Sequence, residues 1–261
     1  MVEGTDAMTD EMTVASDPDV SRPKLLVVGG SGYVAGLVLP LLERRFALRV
    51  YDRNPPSDPS WEFMPGEVTD FDALRAAAEG MDLLLYMAMG KAHPGGIQNI
   101  KNAHDVNVKG VHLALEAAVQ AGIKRAVYTS SLSVHDGHDL LSGAFDSETV
   151  PAEPMSVYGF TKSMGEEVCR FVHRVHHLPI LALRLFLPVS QEDWHAKHDS
   201  TKAVDPRTSA PDLARALEAA LLLKHDSFEA IHITGDTSGR AYSHEKAKRL
   251  LGWEPLEMPE S

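Results

Sequence analysis

Tyr158 and Lys162, four positions apart in Tyr158-Gly-Phe-Thr-Lys162, are the residues of this chain best placed to move a proton. Early in a helix predicted over 156–177, their side chains fall on one face. An ammonium beside a phenol favours phenolate and lowers the tyrosine pKa toward working pH, so Tyr158 could take a proton from a substrate hydroxyl. Such a pair also occurs on solvated helix surfaces, where it does nothing. The strand predicted over 124–130 argues for chemistry: it empties into Ser130-Ser131-Leu132-Ser133 at the carboxyl end, where open α/β sheets bind ligands, and a hydroxyl there can hydrogen-bond a reacting oxygen.

A second constellation points to an anionic ligand. Gly29-Gly-Ser-Gly32-Tyr33-Val34-Ala35-Gly36 lies between the apolar run Lys24–Val28 and a helix expected over 32–45. Small residues let backbone N–H groups approach a pyrophosphate, and the helix dipole favours its charge. Asp52 closes the second strand about twenty residues on, where a carboxylate can accept the hydroxyls of an adenosine ribose and repel a 2′-phosphate. That favours NAD, with NADP less favoured. Asp52 could instead only cap the loop Arg53-Asn-Pro-Pro, and Arg53 could receive a phosphate. With a dinucleotide in place, hydride would leave the carbon whose hydroxyl Tyr158 deprotonates, and Lys162 would hold the nicotinamide ribose.

Positioning these groups takes a layered scaffold. Strand candidates at 47–52, near 62–64, and at 82–88, 124–130 and 179–184 alternate with helices at 70–79, 103–121 and 156–177, whose apolar residues return at three- and four-residue steps. The continuous apolar strands and βα alternation imply a doubly wound α/β class with a parallel, Rossmann-type sheet. Beyond Pro188 come a polar stretch (191–206), a helix near 209–224, a strand at 230–234 and a helix at 243–251 closed by Gly252. The expected division is a mobile acidic tail (1–22), a dinucleotide-binding domain (23–188) and a small substrate lobe (189–261).

Taken together, Val28–Gly36, Asp52, Asn107-Val-Lys-Gly110, Tyr128-Thr-Ser-Ser131, Tyr158–Lys162 and Leu250-Leu-Gly-Trp-Glu-Pro255 resemble the extended short-chain dehydrogenase/reductases of the NAD-dependent epimerase/dehydratase family, from about residue 24 to 254. The resemblance implies that Ser131 orients the substrate oxygen, Tyr158 is the acid/base, Lys162 supports it and Asn107 stands near the active site. It also implies that Gly29, Gly32, Tyr33, Val34, Asp52 and Arg53 hold the dinucleotide, that Met87-Ala88-Met89 line it, and that Glu67-Val68 take the place of the adenine-contacting Asp and its apolar neighbour. Departures narrow the chemistry. Leu132-Ser133 bring no acid after the catalytic hydroxyl, which disfavours sugar 4,6-dehydration, and Arg184-Leu-Phe-Leu-Pro-Val189 replaces an asparagine-containing turn that meets sugar nucleotides. The short second lobe and the Ser243–Trp253 ending resemble the uronate and aldose dehydrogenases. The implied activity is NAD-dependent hydride removal from a carbinol carbon of a small polyhydroxylated substrate, a sugar or sugar acid. Alternatives are an epimerase with the same cofactor and a non-catalytic NAD(P)-sensing protein. Helices 103–121 and 156–177 resemble those that pair subunits in the family, implying a homodimer, unless their apolar faces only cover the sheet.

Composition sets the outer limits. The 261 residues are 44% hydrophobic and 24% charged with a net charge of −12, and residues 1–21 contain six acids and no Lys or Arg. An acidic surface disfavours nucleic acid, and no run suits a membrane span or signal peptide. The single Cys169 excludes an internal disulfide and fits the cytoplasm. His173, His176 and His177 on one helix, and His195 with His198, lack an acid or cysteine in a ligand pattern, so no metal is expected. His93 and Lys91 could touch substrate or simply be solvated.

Overall fold

A computed structural model describes residues 22–90, 97–138, 148–196, 206–238 and 242–256. The acidic tail before Arg22, and Lys91, His93 and His198, lie outside the described residues.

Seven parallel strands form the sheet: β1 (Lys24–Val28), β2 (Ala47–Asp52), β3 (Glu62–Pro65), β4 (Leu83–Tyr86), β5 (Arg125–Ser131) and β6 (Ile180–Leu185), with β9 (Phe228–Ile233) at the far edge. Their spatial order is β3-β2-β1-β4-β5-β6-β9. Between β1 and β4 the direction of winding reverses, which opens a crevice at the carboxyl ends of the strands. A two-stranded ladder of β7 (Pro188–Val189) and β8 (Thr208–Ser209) stands apart from the sheet.

The central strands read as unbroken apolar runs because both faces are covered. In β1, Leu25 and Val27 point into the core shared with α1 (Tyr33–Leu42), α7 (Ala210–Leu222) and α8 (Glu245–Leu251). Leu26 and Val28 point into the opposite core, shared with α2 (Phe71–Ala78), α4 (Val111–Gln120) and α5 (Val157–His176). Each fully buried Leu or Val there contributes roughly 1.5–3 kcal/mol of transfer free energy. The remaining helices are α3 (Ile97–His104) and α6 (Gln191–Ala196). Caps fix the entry points: Ser156, Ser209 and Asp70 each accept a backbone N–H three residues on, and Gly252 closes α8 at φ 61°.

Two features differ from the sequence reading. The single helix expected over 103–121 is α3, a π-helical turn at Asp105–Gly110, and α4. The widened turn carries Asn107 inward, and insertions of this kind are favoured where a side chain must be re-aimed. The second concerns residues 189–261, expected to form a lobe of their own. Of these, β9 pairs with β6 along six residues and α7 packs on α1, so both belong to the main sheet and its cover. Trp253 is buried in the same core, its indole N–H donating to the Asp212 carbonyl at 2.9 Å.

One glycine sets how closely α5 approaches the sheet. A Cβ on Gly165 would lie 2.4 Å from the Tyr128 hydroxyl and 2.8 Å from the Asn107 carbonyl. Gly165→Ala is expected to destabilise the protein by about 1–3 kcal/mol through overpacking, read as a lower urea midpoint with an unchanged slope.

Candidate active site

At the carboxyl edge of the sheet, a cavity of about 710 Å³ runs from Gly29 and Asp52 at one end to Ser131, Tyr158 and Leu187 at the other. Its first end is built by the β1–α1 turn. Gly29 sits at φ 86°, and a Cβ there would fall 2.2 Å from the Ala88 nitrogen, so only glycine closes this turn against the loop after β4. Gly32 caps α1 with no side-chain hydrogen bond. The first-turn N–H groups, those of Tyr33 and Val34 included, therefore face the cavity with the positive end of the helix dipole behind them. This cradle fits a pyrophosphate.

Asp52 does two jobs. Its Oδ2 accepts the Ser31 N–H at 3.1 Å and its Oδ1 the Asn54 N–H at 3.2 Å, while Ser31 Oγ donates to the Asn54 carbonyl at 2.7 Å. The carboxylate thus braces the glycine turn and caps its own loop, yet still lines the cavity. Exposed Arg53 lies beside it. Glu67 is exposed and Val68 buried on the cavity wall, where the Tyr51 hydroxyl donates to the Glu67 carbonyl at 2.8 Å. Of the three residues after β4, Met87 is buried, Ala88 half-buried, and Met89 stands out at 59% exposure on the rim.

The other end gathers the proton-handling groups. Ser131, the last residue of β5, has its hydroxyl 3.2 Å from the Ser133 hydroxyl and accepts the Ser133 N–H at 3.1 Å. Tyr158 lines the same end of the cavity, and the nearby Ser131 side chain favours its phenolate. Lys162 is 2% exposed, and its Nζ donates to the Thr129 carbonyl at 2.7 Å, with the Tyr128 ring centroid at 4.9 Å and that of Tyr158 at 5.8 Å. Burial lowers the Lys162 pKa to about 8, partly countered by Cys169 and Glu166.

Burial raises the Tyr158 pKa and the nearby Ser131 side chain opposes that rise, while the Lys162 ammonium stands 5.8 Å from the ring centroid and donates to Thr129. Asn107 stands just behind the cavity wall rather than on it. Fully buried, it accepts the Gly90 N–H at 2.9 Å and donates to Thr161 Oγ1 at 2.9 Å, pinning the loop after β4 to the helix of Tyr158 and Lys162.

Sequence reasoning missed the wall formed by Leu185-Phe-Leu-Pro188 and the buried Glu166 one turn after Lys162. The first carried a signal, because its apolar residues replace a polar turn. Among the histidines, His173 bonds the Leu178 carbonyl at 2.9 Å, His176 lies 3.2 Å from Glu116 and His195 is exposed. Among the described residues no group of three or more His, Cys, Asp or Glu is arranged to hold a metal, and no helix is long and apolar enough to cross a membrane.

An open parallel sheet with a glycine-cradled crevice and a Tyr–Lys pair at its carboxyl edge is the layout of a dinucleotide-binding α/β protein. Residues 25–224 match the model of the NAD dependent epimerase/dehydratase family, and the chain belongs to that family. It is 38% identical over 159 residues to the 3 beta-hydroxysteroid dehydrogenase/Delta 5-->4-isomerase of Mycobacterium tuberculosis, a match covering 57% of this chain and 42% of that protein. It is 28% identical over 208 residues to the L-arabinose 1-dehydrogenase (NAD(P)(+)) of Haloferax volcanii, covering 72% of this chain and 80% of the relative. Among solved structures, a mutated uronate dehydrogenase shares the fold with a TM-score of 0.77 at 19% identity, over 90% of this chain and 82% of that one.

Asn107→Ala would leave the buried Gly90 N–H without its acceptor, a loss of about 1–3 kcal/mol. Urea unfolding is expected to show that loss.

Proposed function

We propose that the protein is an oxidoreductase that removes hydride from a carbinol carbon of a small polyhydroxylated molecule, a sugar or sugar acid, with NAD as acceptor. The observation that carries this reading is the convergence of the Ser131 and Tyr158 hydroxyls, backed by Lys162, on a cavity continuous with the glycine cradle. Gly29, Gly32, Tyr33 and Val34 would hold the pyrophosphate, Asp52 the adenosine ribose, Glu67 and Val68 the adenine side, and Met87, Ala88 and Met89 the opposite wall. The carboxylate of Asp52 disfavours a 2′-phosphate, so NADP is the lesser fit. The dinucleotide supplies the hydride acceptor when bound. Ser131 orients the substrate hydroxyl, Tyr158 accepts its proton, and Lys162 places a positive charge beneath the phenol. Asn107 acts by positioning the helix rather than by touching substrate.

The substrate-facing part is better assigned to the Leu185–Pro188 wall and its β7–β8 support than to a lobe beginning at residue 189. That wall, with Leu132, is apolar, which favours a second reading: an alcohol with an apolar body, as the name of the mycobacterial relative indicates for that protein. A panel of free aldoses, uronates, nucleotide sugars and hydroxysteroids, followed by absorbance of reduced cofactor, separates these readings. Build-up of NADH marks a dehydrogenase, whereas product without NADH marks an epimerase.

A homodimer accords with the apolar stripe along α5, where Phe160, Phe171 and Val175 are exposed, next to Ile97 and Ile100 of α3. A cytoplasmic setting accords with the free, buried thiol of Cys169.

Tyr158→Phe is expected to lower turnover by about 10²- to 10⁴-fold while dinucleotide affinity, read by fluorescence titration, stays near its starting value. Unchanged turnover would remove Tyr158 from the mechanism. Phe171→Asp is expected to convert dimer to monomer in sedimentation velocity.

A further inference from the structure

Behind the proposed proton-handling groups lies a buried charged layer that the reading above does not use. Glu166, 3% exposed, sits one helical turn after Lys162 on α5. Its Oε1 accepts the Ser130 hydroxyl at 2.6 Å and Arg184 Nε at 2.9 Å, and its Oε2 accepts Arg184 Nη2 at 2.7 Å. Arg184, itself buried on β6, gives Nη1 to His135 Nε2 at 2.9 Å. The guanidinium therefore spends its fork on fixing one carboxylate, in the two-bond geometry that holds such a group most rigidly.

Three consecutive residues of β5 meet this layer and the site. Thr129 gives its carbonyl to Lys162, Ser130 gives its hydroxyl to Glu166, and Ser131 lines the cavity with Tyr158. Fixing Ser130 from below thus fixes its two neighbours, which hold the proposed acid–base pair from above. The charge count points the same way. The titratable groups facing Lys162 and Glu166 are Tyr158 and Cys169 on α5, Tyr128 on β5 and Arg184 on β6, with His135 and the β9 residue His232 beyond the guanidinium. Burial holds Cys169 and Tyr128 in their neutral forms and pushes His135 and His232 away from theirs as cations. Glu166 is then the carboxylate that acts on Lys162, while Glu148 lies on the far side of Arg184, its carbonyl accepting Nη1 at 3.5 Å and its Oε1 accepting the His232 N–H at 3.1 Å.

We propose that Glu166 is a positioning residue: clamped by Arg184, it fixes the end of β5 through Ser130, and its charge holds the buried Lys162 as a cation. The inference rests on the reading of Tyr158 and Lys162 as the acid–base pair. The sign follows directly. An anion one turn away favours the ammonium, so its removal lets the proton leave at lower pH, and activity that needs the ammonium is lost earlier as pH rises.

The test is the pH profile of kcat, with reduced cofactor as readout. Glu166→Gln keeps an acceptor for Ser130 and Arg184 but removes the charge, and the descending alkaline limb is expected to move acidward by about one pH unit or more. Glu166→Asp, which keeps the charge, should leave the limb in place even where kcat falls. Because Glu166→Gln strands a buried guanidinium, the double variant E166Q/R184Q removes both charges together and is the form expected to fold most readily; its limb should also move acidward. A lower kcat with an unmoved limb in both charge-neutral variants would reduce Glu166 to a packing role and overturn the inference alone. Turnover left unchanged by Tyr158→Phe would overturn the acid–base reading as well.

Discussion

An ammonium enclosed in protein governs the arrangement of this site. Taking a lysine cation out of water costs several kcal/mol even after the protein relaxes. Lys162 has one short hydrogen bond to the Thr129 carbonyl and two aromatic rings at cation–π range to set against that cost. A hydrogen bond to a charged group contributes about 1.5–3 kcal/mol, and a desolvated cation–π contact about 2 kcal/mol. These terms roughly match the penalty, and with the Glu166 carboxylate one turn away opposing the effect of burial the ammonium pKa falls only to about 8. The position is therefore one that tolerates a cation without being stabilised by it, and a lysine held at such a site is explained by what its charge does for its neighbours.

The constraint propagates outward because every group that meets Lys162 is itself tied. Thr129, whose carbonyl is the acceptor, anchors its own hydroxyl on the Tyr86 carbonyl at 3.0 Å, so β5 is fixed against β4 at that residue. Asn107 joins the loop after β4 to Thr161, the residue before Lys162, and Gly165 lets the helix come close enough for these bonds to form. The layer between α5 and the sheet is consequently polar near the carboxyl edge and apolar below it, where Cys169 and Val172 pack with Tyr128 and Ile180. One helix thus serves as a core element over its second half and as the floor of a site over its first.

How much of this was legible in the residues follows from which interactions leave a local signature. The glycine turn, the continuous strands and the Tyr158–Lys162 spacing are short-range patterns, and the parallel doubly wound sheet they imply is the one present. The place of β9 beside β6 was not legible, since a strand expected at 230–234 reads alike in a lobe or at a sheet edge. The Glu166–Arg184 pair joins residues 18 apart on different elements, and no periodicity announces it. The π-helical turn at 105–110 is invisible for another reason: its apolar residues still recur at near-helical steps, and only tertiary contact reveals that Asn107 has turned inward. The rise of the Tyr158 pKa escaped because it comes from burial, which depends on how the helix packs and is not written in the spacing of Tyr158 and Lys162.

Asp52 shows why two readings of one residue need not compete. A carboxylate offers about four acceptor sites, and the Ser31 and Asn54 N–H groups occupy one on each oxygen. Asp52 lines the cavity, and its remaining sites would suit the two hydroxyls of a ribose in the proposed complex. Loop capping and ligand binding then draw on the same charge from opposite sides. The internal bonds hold the carboxylate close to the glycine turn, so in the proposed complex the distance between ribose and pyrophosphate would be set before the ligand arrives. A side chain free to swing would have to be ordered at each binding event, at a cost of about 0.5–1.5 kcal/mol. The brace that a purely structural reading would assign to Asp52 is thus what prepares it for the functional one.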